Sequence, residues 1–274
     1  MKPELLYLDL MKKILSYSLW PELLREITTS NCGGSIVSKS LVSTMSKILA
    51  SKDLKLSKSF NQPESLRHEG RIWPVCADTM IGLKRLDNLQ YCIETVLDEK
   101  VQGDLIETGV WRGGSCIFMR AVLAAYDIKY RTVFVADSFE GLPRPDLRYL
   151  ADKDSKLHTS SELAVSLETV KDNFKKYGLL DEQVHFLKGW FKDTLPKAPI
   201  FSLSVLRLDG DMYGSTMDSL VNLYHKLSHG GFCIVDDYYA IPACKLAVDD
   251  FRSGYKITEE IKTVDWSCVY WRKK

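Results

Sequence analysis

These 274 residues contain no C-x-x-C pair, no G-x-G-x-x-G turn and no long apolar run. Each absence excludes something. The seven cysteines, at 32, 76, 92, 116, 233, 244 and 268, are scattered and odd in number. Several sit inside apolar stretches, which favours reduced thiols in a cytoplasmic protein over a disulfide framework or a zinc site. Charge nearly cancels, at a formal net +1, so no strong field points to nucleic acid or an anionic membrane. No segment approaches the roughly 18 apolar residues of a membrane span. The opening "MKPELLYLDLMKK" carries Glu4 and Asp9 where a signal peptide would be apolar, so none is expected.

What is present suits a globular chain. Hydrophobic residues make up 45 %, enough for one large α/β domain or a domain with a smaller appendage. Residues 1–75 read as a helical N-terminal extension or lid. Leu6, Leu10, Met11, Ile14 and Leu15 recur there at helical spacing. From Thr28 to about Gly70 the chain is rich in Ser, Lys and Asn and reads as loop with one short helix, Leu41 to Leu49.

Residues 76–274 alternate helix and strand. A helix through "GLKRLDNLQYCIETVLDE" precedes the strand "GDLIET", a glycine-rich turn and the helix "CIFMRAVLAAY". The strand "RTVFVADS", a long loop and the helix "SLETVKDNFKKYG" follow. Then come the strands "QVHFLKG" and "FSLSVLRLD", the helix "TMDSLVNLYHKLS", the strand "GFCIVDD" and the helix "ACKLAVDDFRS". "YKITEEI" and "SCVYWRK" close the chain as two further strand candidates. This order predicts a doubly wound, mostly parallel sheet.

In such sheets ligands bind at the carboxyl ends of the strands. Glu107, Asp137, Asp209, Asp236 and Asp237 all fall there. The turn "ETGVWRGGS" places glycines between a strand and a helix, so a ligand can approach the backbone and the free N–H groups of the helix. Its spacing, Gly109 then Gly113 and Gly114, fits a nicotinamide dinucleotide poorly and an S-adenosylmethionine (SAM) turn better. Asp137 suits a nucleoside ribose of either cofactor. Trp190 and Phe191 read as core plugs or as a wall for adenine. Asp209, Asp236 and Asp237, on strands expected to be neighbours, would repel one another unless a hard cation joins them. Asp211, two residues on, could stay beside that cation as a general base. The competing reading makes these acids helix caps, and Ser166 the cap of the helix that follows it.

Together "YLDLMKKIL", "TMIGLKRLDNLQ", "ETGVWRGGSC", "ADSFEGLP", "LRLDGDMY" and "IVDDYYAIPACKLAVDDFR" make the chain resemble the macrocin O-methyltransferase family. The likeness runs from Tyr7 onward and is most specific from about Trp73 to Arg252. It implies a class I SAM-dependent methyltransferase fold, Rossmann-like, with SAM as donor and Mg²⁺ binding a sugar diol. It assigns the metal to Asp209, Asp236 and Asp237, and the base to Asp211. The SAM pocket would take Met80, Glu107, Thr108, Gly109, Val110, Trp111, Gly113 and Ser115. Asp137, Ser138, Phe139, Gly141, Ser166, Gly189 and Trp190 would complete it. The implied partner is a small-molecule acceptor, a glycosylated natural product or another diol, and the implied assembly is a homo-oligomer. One departure stands out: Gly214 occupies a position where the resemblance leads one to expect an acid. An NAD-dependent oxidoreductase and a non-catalytic binding protein are the rival readings.

Overall fold

The computed structural model describes residues 2–20, 24–29, 32, 35–59, 63–72 and 76–274. Trp73 and the division expected after residue 75 lie outside the described residues. The chain starts with α1 (Pro3–Leu15), β1 (Leu24–Glu26), α2 (Ile36–Ala50), β2 (Ser57–Ser59) and α3 (Glu64–His68). β1 and β2 form a small antiparallel pair of their own. The short helix expected at Leu41–Leu49 is the longer α2.

The remaining elements build the main sheet and its two helical layers. In order they are α4 (Leu83–Asp98), β3 (Asp104–Thr108), α5 (Gly114–Ala125), β4 (Val133–Asp137), α6 (Leu167–Lys176) and β5 (Val184–Lys188). Then come α7 (Phe191–Thr194), β6 (Leu203–Leu208), α8 (Tyr213–Leu223), β7 (Leu227–Val235), α9 (Pro242–Gly254), β8 (Lys262–Thr263) and β9 (Val269–Arg272). Strand order is β5-β4-β3-β6-β7-β9-β8. The first five are parallel; at the far edge β9 pairs antiparallel with β7, and β8 antiparallel with β9. The sheet is therefore the mostly parallel one expected, with two corrections of detail. "YKITEEI" is not a strand: α9 runs on to Gly254 and β8 starts at Lys262. α8 begins at Tyr213, three residues before the helix expected, and β7 already begins at Leu227.

Successive strand residues point to opposite faces, so Leu105 and Ile106 serve different cores. One core joins α1, α4, α5 and α6 through Leu15, Leu89, Ile93, Phe118 and Phe174. The other joins α8 and α9 through Leu220, Leu223, Val248 and Phe251, with Trp271 from β9. α1 turns Leu8, Met11 and Leu15 inward, whereas Leu6 and Leu10 stay exposed. Its C-terminal carbonyl, on Leu15, accepts the N–H groups of Asp78 and Thr79 at 2.9 and 3.2 Å. That contact anchors the segment leading to Met80.

From β3 the chain winds one way to β4 and β5, then crosses back to β6 and β7. The reversal opens a crevice at the carboxyl ends of β3 and β6, where open α/β sheets bind ligands.

Candidate active site

A cavity of about 600 Å³ occupies that crevice. Most of the expected site residues line it: Met80, Glu107, Gly109, Val110, Trp111 and Ser115, then Asp137, Ser138, Gly141, Gly189 and Trp190. So do Asp209, Asp211, Asp236 and Asp237. Four others stand off it. Thr108 is fully buried in β3. Gly113 caps α5 with a positive φ and packs on Val170. Phe139 turns towards Phe186, ring centroids 6.3 Å apart. Ser166 caps α6, its hydroxyl accepting the Thr169 N–H at 3.1 Å.

The glycine turn is built by close approach. Gly109 has φ +89, and a Cβ there would lie 1.8 Å from the Asp209 carbonyl oxygen. Only glycine lets the ends of β3 and β6 meet so closely. Two non-glycine residues lining the cavity, Trp111 and Asp211, also take left-handed backbone, as does Phe139 behind it. Each costs on the order of 1 kcal/mol or more, and such outliers cluster where function fixes geometry.

Asp137 accepts the Val110 and Phe139 N–H groups at 2.8 and 2.7 Å. Burial raises its pKa, and these amides oppose the rise. Glu107 is fully buried, and burial pushes its pKa up to about 7 against the pull of Arg207. It also accepts the Cys116 thiol at 2.9 Å.

The acidic cluster explains why two apolar strands end in carboxylates. Oxygens of Asp209, Asp236 and Asp237 all lie within 4.8 Å of one another. Asp211 is recessed beside them, its pKa raised by desolvation and then by Asp209 and Asp236. Burial, followed by the neighbouring carboxylates Asp211, Asp209 and Asp236, raises Asp237 well above the usual range. The buried Asp237 Oδ2 has no hydrogen-bond partner among the described residues.

None of these acids caps a helix. α8 and α9 begin after Met212 and Ile241, neither with a side-chain cap. The first turn of α8 is instead capped from a distance: the buried Asp152 accepts the Tyr213 and Gly214 N–H groups, each at 2.8 Å. A Cβ on Gly214 would meet the Tyr149 ring at 3.0 Å. Thus Asp152 brings a carboxylate to the place where an acid was expected at 214, and the glycine makes room for the loop that carries it.

The sequence reading missed the cations that hold the cluster. Arg207, 1 % exposed, pairs with Glu107, Asp209 and Asp236. Arg85 pairs with Asp236 and Asp265. A signal was available, since Arg207 interrupts an apolar strand and Arg85 falls on the apolar face of α4. Trp266 was also missed. It lines the cavity while its indole N–H donates to the Glu69 carbonyl at 2.8 Å.

The family model for macrocin O-methyltransferases matches residues 4–273. The chain belongs to the macrocin O-methyltransferase family. It is 59% identical over 205 residues to the 8-demethyl-8-(2,3-dimethoxy-alpha-L-rhamnosyl)-tetracenomycin-C 4'-O-methyltransferase of Streptomyces olivaceus, covering 74% of this chain and 78% of that enzyme. It is 56% identical over 212 residues to the demethyldecarbamoylnovobiocin O-methyltransferase of Streptomyces niveus, covering 77% and 81%. The solved structure of the O-methyltransferase NovP matches at a TM-score of 0.84 and 46% identity, over 99% of both chains. The family member described here is thus a SAM-dependent O-methyltransferase of the class I fold. The nicotinamide reading and the non-catalytic reading are set aside. Among the described residues no helix is long and apolar enough to cross a membrane.

Proposed function

We propose that this enzyme methylates a sugar hydroxyl of a glycosylated natural product, with Mg²⁺ held by Asp209, Asp236 and Asp237 and with Asp211 as general base. The observation that carries the metal reading is the convergence of three carboxylates within 4.8 Å, one with an orphaned buried oxygen. Three hard oxygen donors without histidine or cysteine fit Mg²⁺ or Mn²⁺. When bound, such an ion offsets the crowded charge and lowers the pKa of a hydroxyl presented to it. The sugar reading draws on the tetracenomycin relative, whose name specifies a rhamnosyl acceptor.

SAM supplies an electrophilic methyl group on a sulfonium. The chain's part is to hold donor and acceptor in line, since positioning supplies much of such a rate. Glu107 would hold the amino-acid end of the donor, and Asp137 its ribose hydroxyls. The turn at Gly109 lets the donor approach the backbone, and Met80 and Trp190 form walls of the donor pocket. Asp211 takes the hydroxyl proton. It lines the cavity, on left-handed backbone, and stands outside the three-carboxylate group. Tyr149, Leu157, Leu163 and Trp266 supply apolar surface for the acceptor.

The reading also places the enzyme in the cytoplasm as a homo-oligomer. α2 supports the oligomer, because it leaves Val37, Leu41, Met45 and Ile48 exposed along one stripe. Light scattering on the purified protein tests it, and a monomer at working concentration removes that part.

The test of function is a panel of glycosides, matched aglycones and catechols, incubated with SAM and Mg²⁺ and read by mass spectrometry. A gain of one methyl group on the sugar of a glycoside is the expected result. Methylation of aglycones or catechols alone would overturn the sugar reading.

A further inference from the structure

Arg207 sits at the heart of the site without lining the cavity. It projects from β6, the strand between β3, which carries Glu107, and β7, which leads into Asp236. In register it stands opposite Glu107. One guanidinium nitrogen, Nη1, donates both to Glu107 and to Asp209, the latter at 2.8 Å. The other, Nη2, donates to Asp236. Glu107 belongs to the donor side, while Asp209 and Asp236 belong to the metal side. Arg85 offers a built-in contrast, because it binds Asp236 and Asp265 and touches no donor-side acid.

A buried charge persists only where it is paired. The planar guanidinium presents donors on two edges at fixed angles, whereas an ammonium is a single point. Three acids from two functional regions thus take their orientation from one side chain. We infer that Arg207 is a positioning residue shared by the donor and metal subsites, fixing Glu107 for the donor and Asp209 with Asp236 for the cation. This rests on the assignment of those two subsites proposed above.

The experiment measures binding without turnover. The full-length protein is titrated calorimetrically with S-adenosylhomocysteine in EDTA, and separately with Mn²⁺ while free ion is followed by electron paramagnetic resonance. Arg207→Lys keeps the charge but loses the fork, and should weaken both ligands by about tenfold or more. Arg85→Lys should weaken Mn²⁺ alone. In a Glu107→Gln background, Arg207→Lys should no longer weaken S-adenosylhomocysteine but should still weaken Mn²⁺, since the donor effect runs through Glu107. A general loosening of the fold would persist in both backgrounds, and that result overturns the inference. So does an effect of Arg207→Lys on one ligand only.

If Arg207→Lys does not fold, Asp236→Asn serves in its place. Losing the charge that Nη2 meets, with one oxygen left to accept from both Arg207 and Arg85, should weaken S-adenosylhomocysteine about threefold or more in EDTA, and an unchanged affinity overturns the inference. A wild type that binds neither ligand removes the proposed function and this inference with it. A wild type that binds both, with Arg207→Lys indistinguishable from it, removes the inference alone.

Discussion

At the scale of single residues the account turns on Asp211. A positioned general base contributes about 10²- to 10⁴-fold, so Asp211→Asn should lower kcat by about a hundredfold or more while S-adenosylhomocysteine affinity stays within a few-fold. Near wild-type turnover would show that another group takes the proton. Asp237→Asn should weaken Mn²⁺ binding, because it removes a charge from the carboxylate whose oxygen is left without a partner. The acids were legible in the sequence because each follows an apolar strand, and strand ends converge in this architecture. Their counter-charges went unread although Arg207 interrupts an apolar strand and Arg85 lies on the apolar face of α4. Arginines on a helix are usually solvated, and the apolar face of α4 does not say which acids Arg85 will meet. Asp152 was hidden for another reason: it caps α8 from 61 residues away in sequence, a contact that only the folded loop creates.

At the scale of elements, the tightest constraint is the meeting of β3 and β6 at Gly109. Gly109→Ala must displace the Asp209 carbonyl. The expected outcome is a loss of S-adenosylhomocysteine binding together with a lower melting temperature, and an unchanged protein would contradict the close approach. Ser166→Ala removes the α6 cap and should cost about 1 kcal/mol, read from chemical denaturation. Since the hydroxyl already serves the Thr169 N–H and stands off the cavity, donor affinity should remain within twofold. Helices and strands with strong periodicity could be read directly. The tail could not: Lys262–Thr263 is two exposed residues, paired only because β9 lies beside them, and such a strand carries no hydrophobic signal. The α1 stripe could be read only in part, because leucines occupy both faces: Met11 and Leu15 of the expected set are buried, Leu6 and Leu10 are exposed, and Leu8 was not in the set.

At the scale of the whole molecule, one topological reversal gathers Glu107, Asp137, Asp209, Asp211, Asp236 and Asp237 at a single edge. The helical layers bury both faces of the sheet and keep that edge aligned, and they also send Arg85 of α4 and Ser115 of α5 to the cavity. The family fold could be inferred from the order of elements and the spacing of motifs. The acceptor could not, because much of the cavity wall comes from loops and from Trp266, which are adjacent only after folding. The measurement that bears most directly on the account is methyl transfer from SAM to a glycosylated acceptor, first in EDTA and then after Mg²⁺ is restored. The expected result is loss of turnover in EDTA and full recovery with Mg²⁺. Undiminished turnover in EDTA would contradict the metal role of Asp209, Asp236 and Asp237.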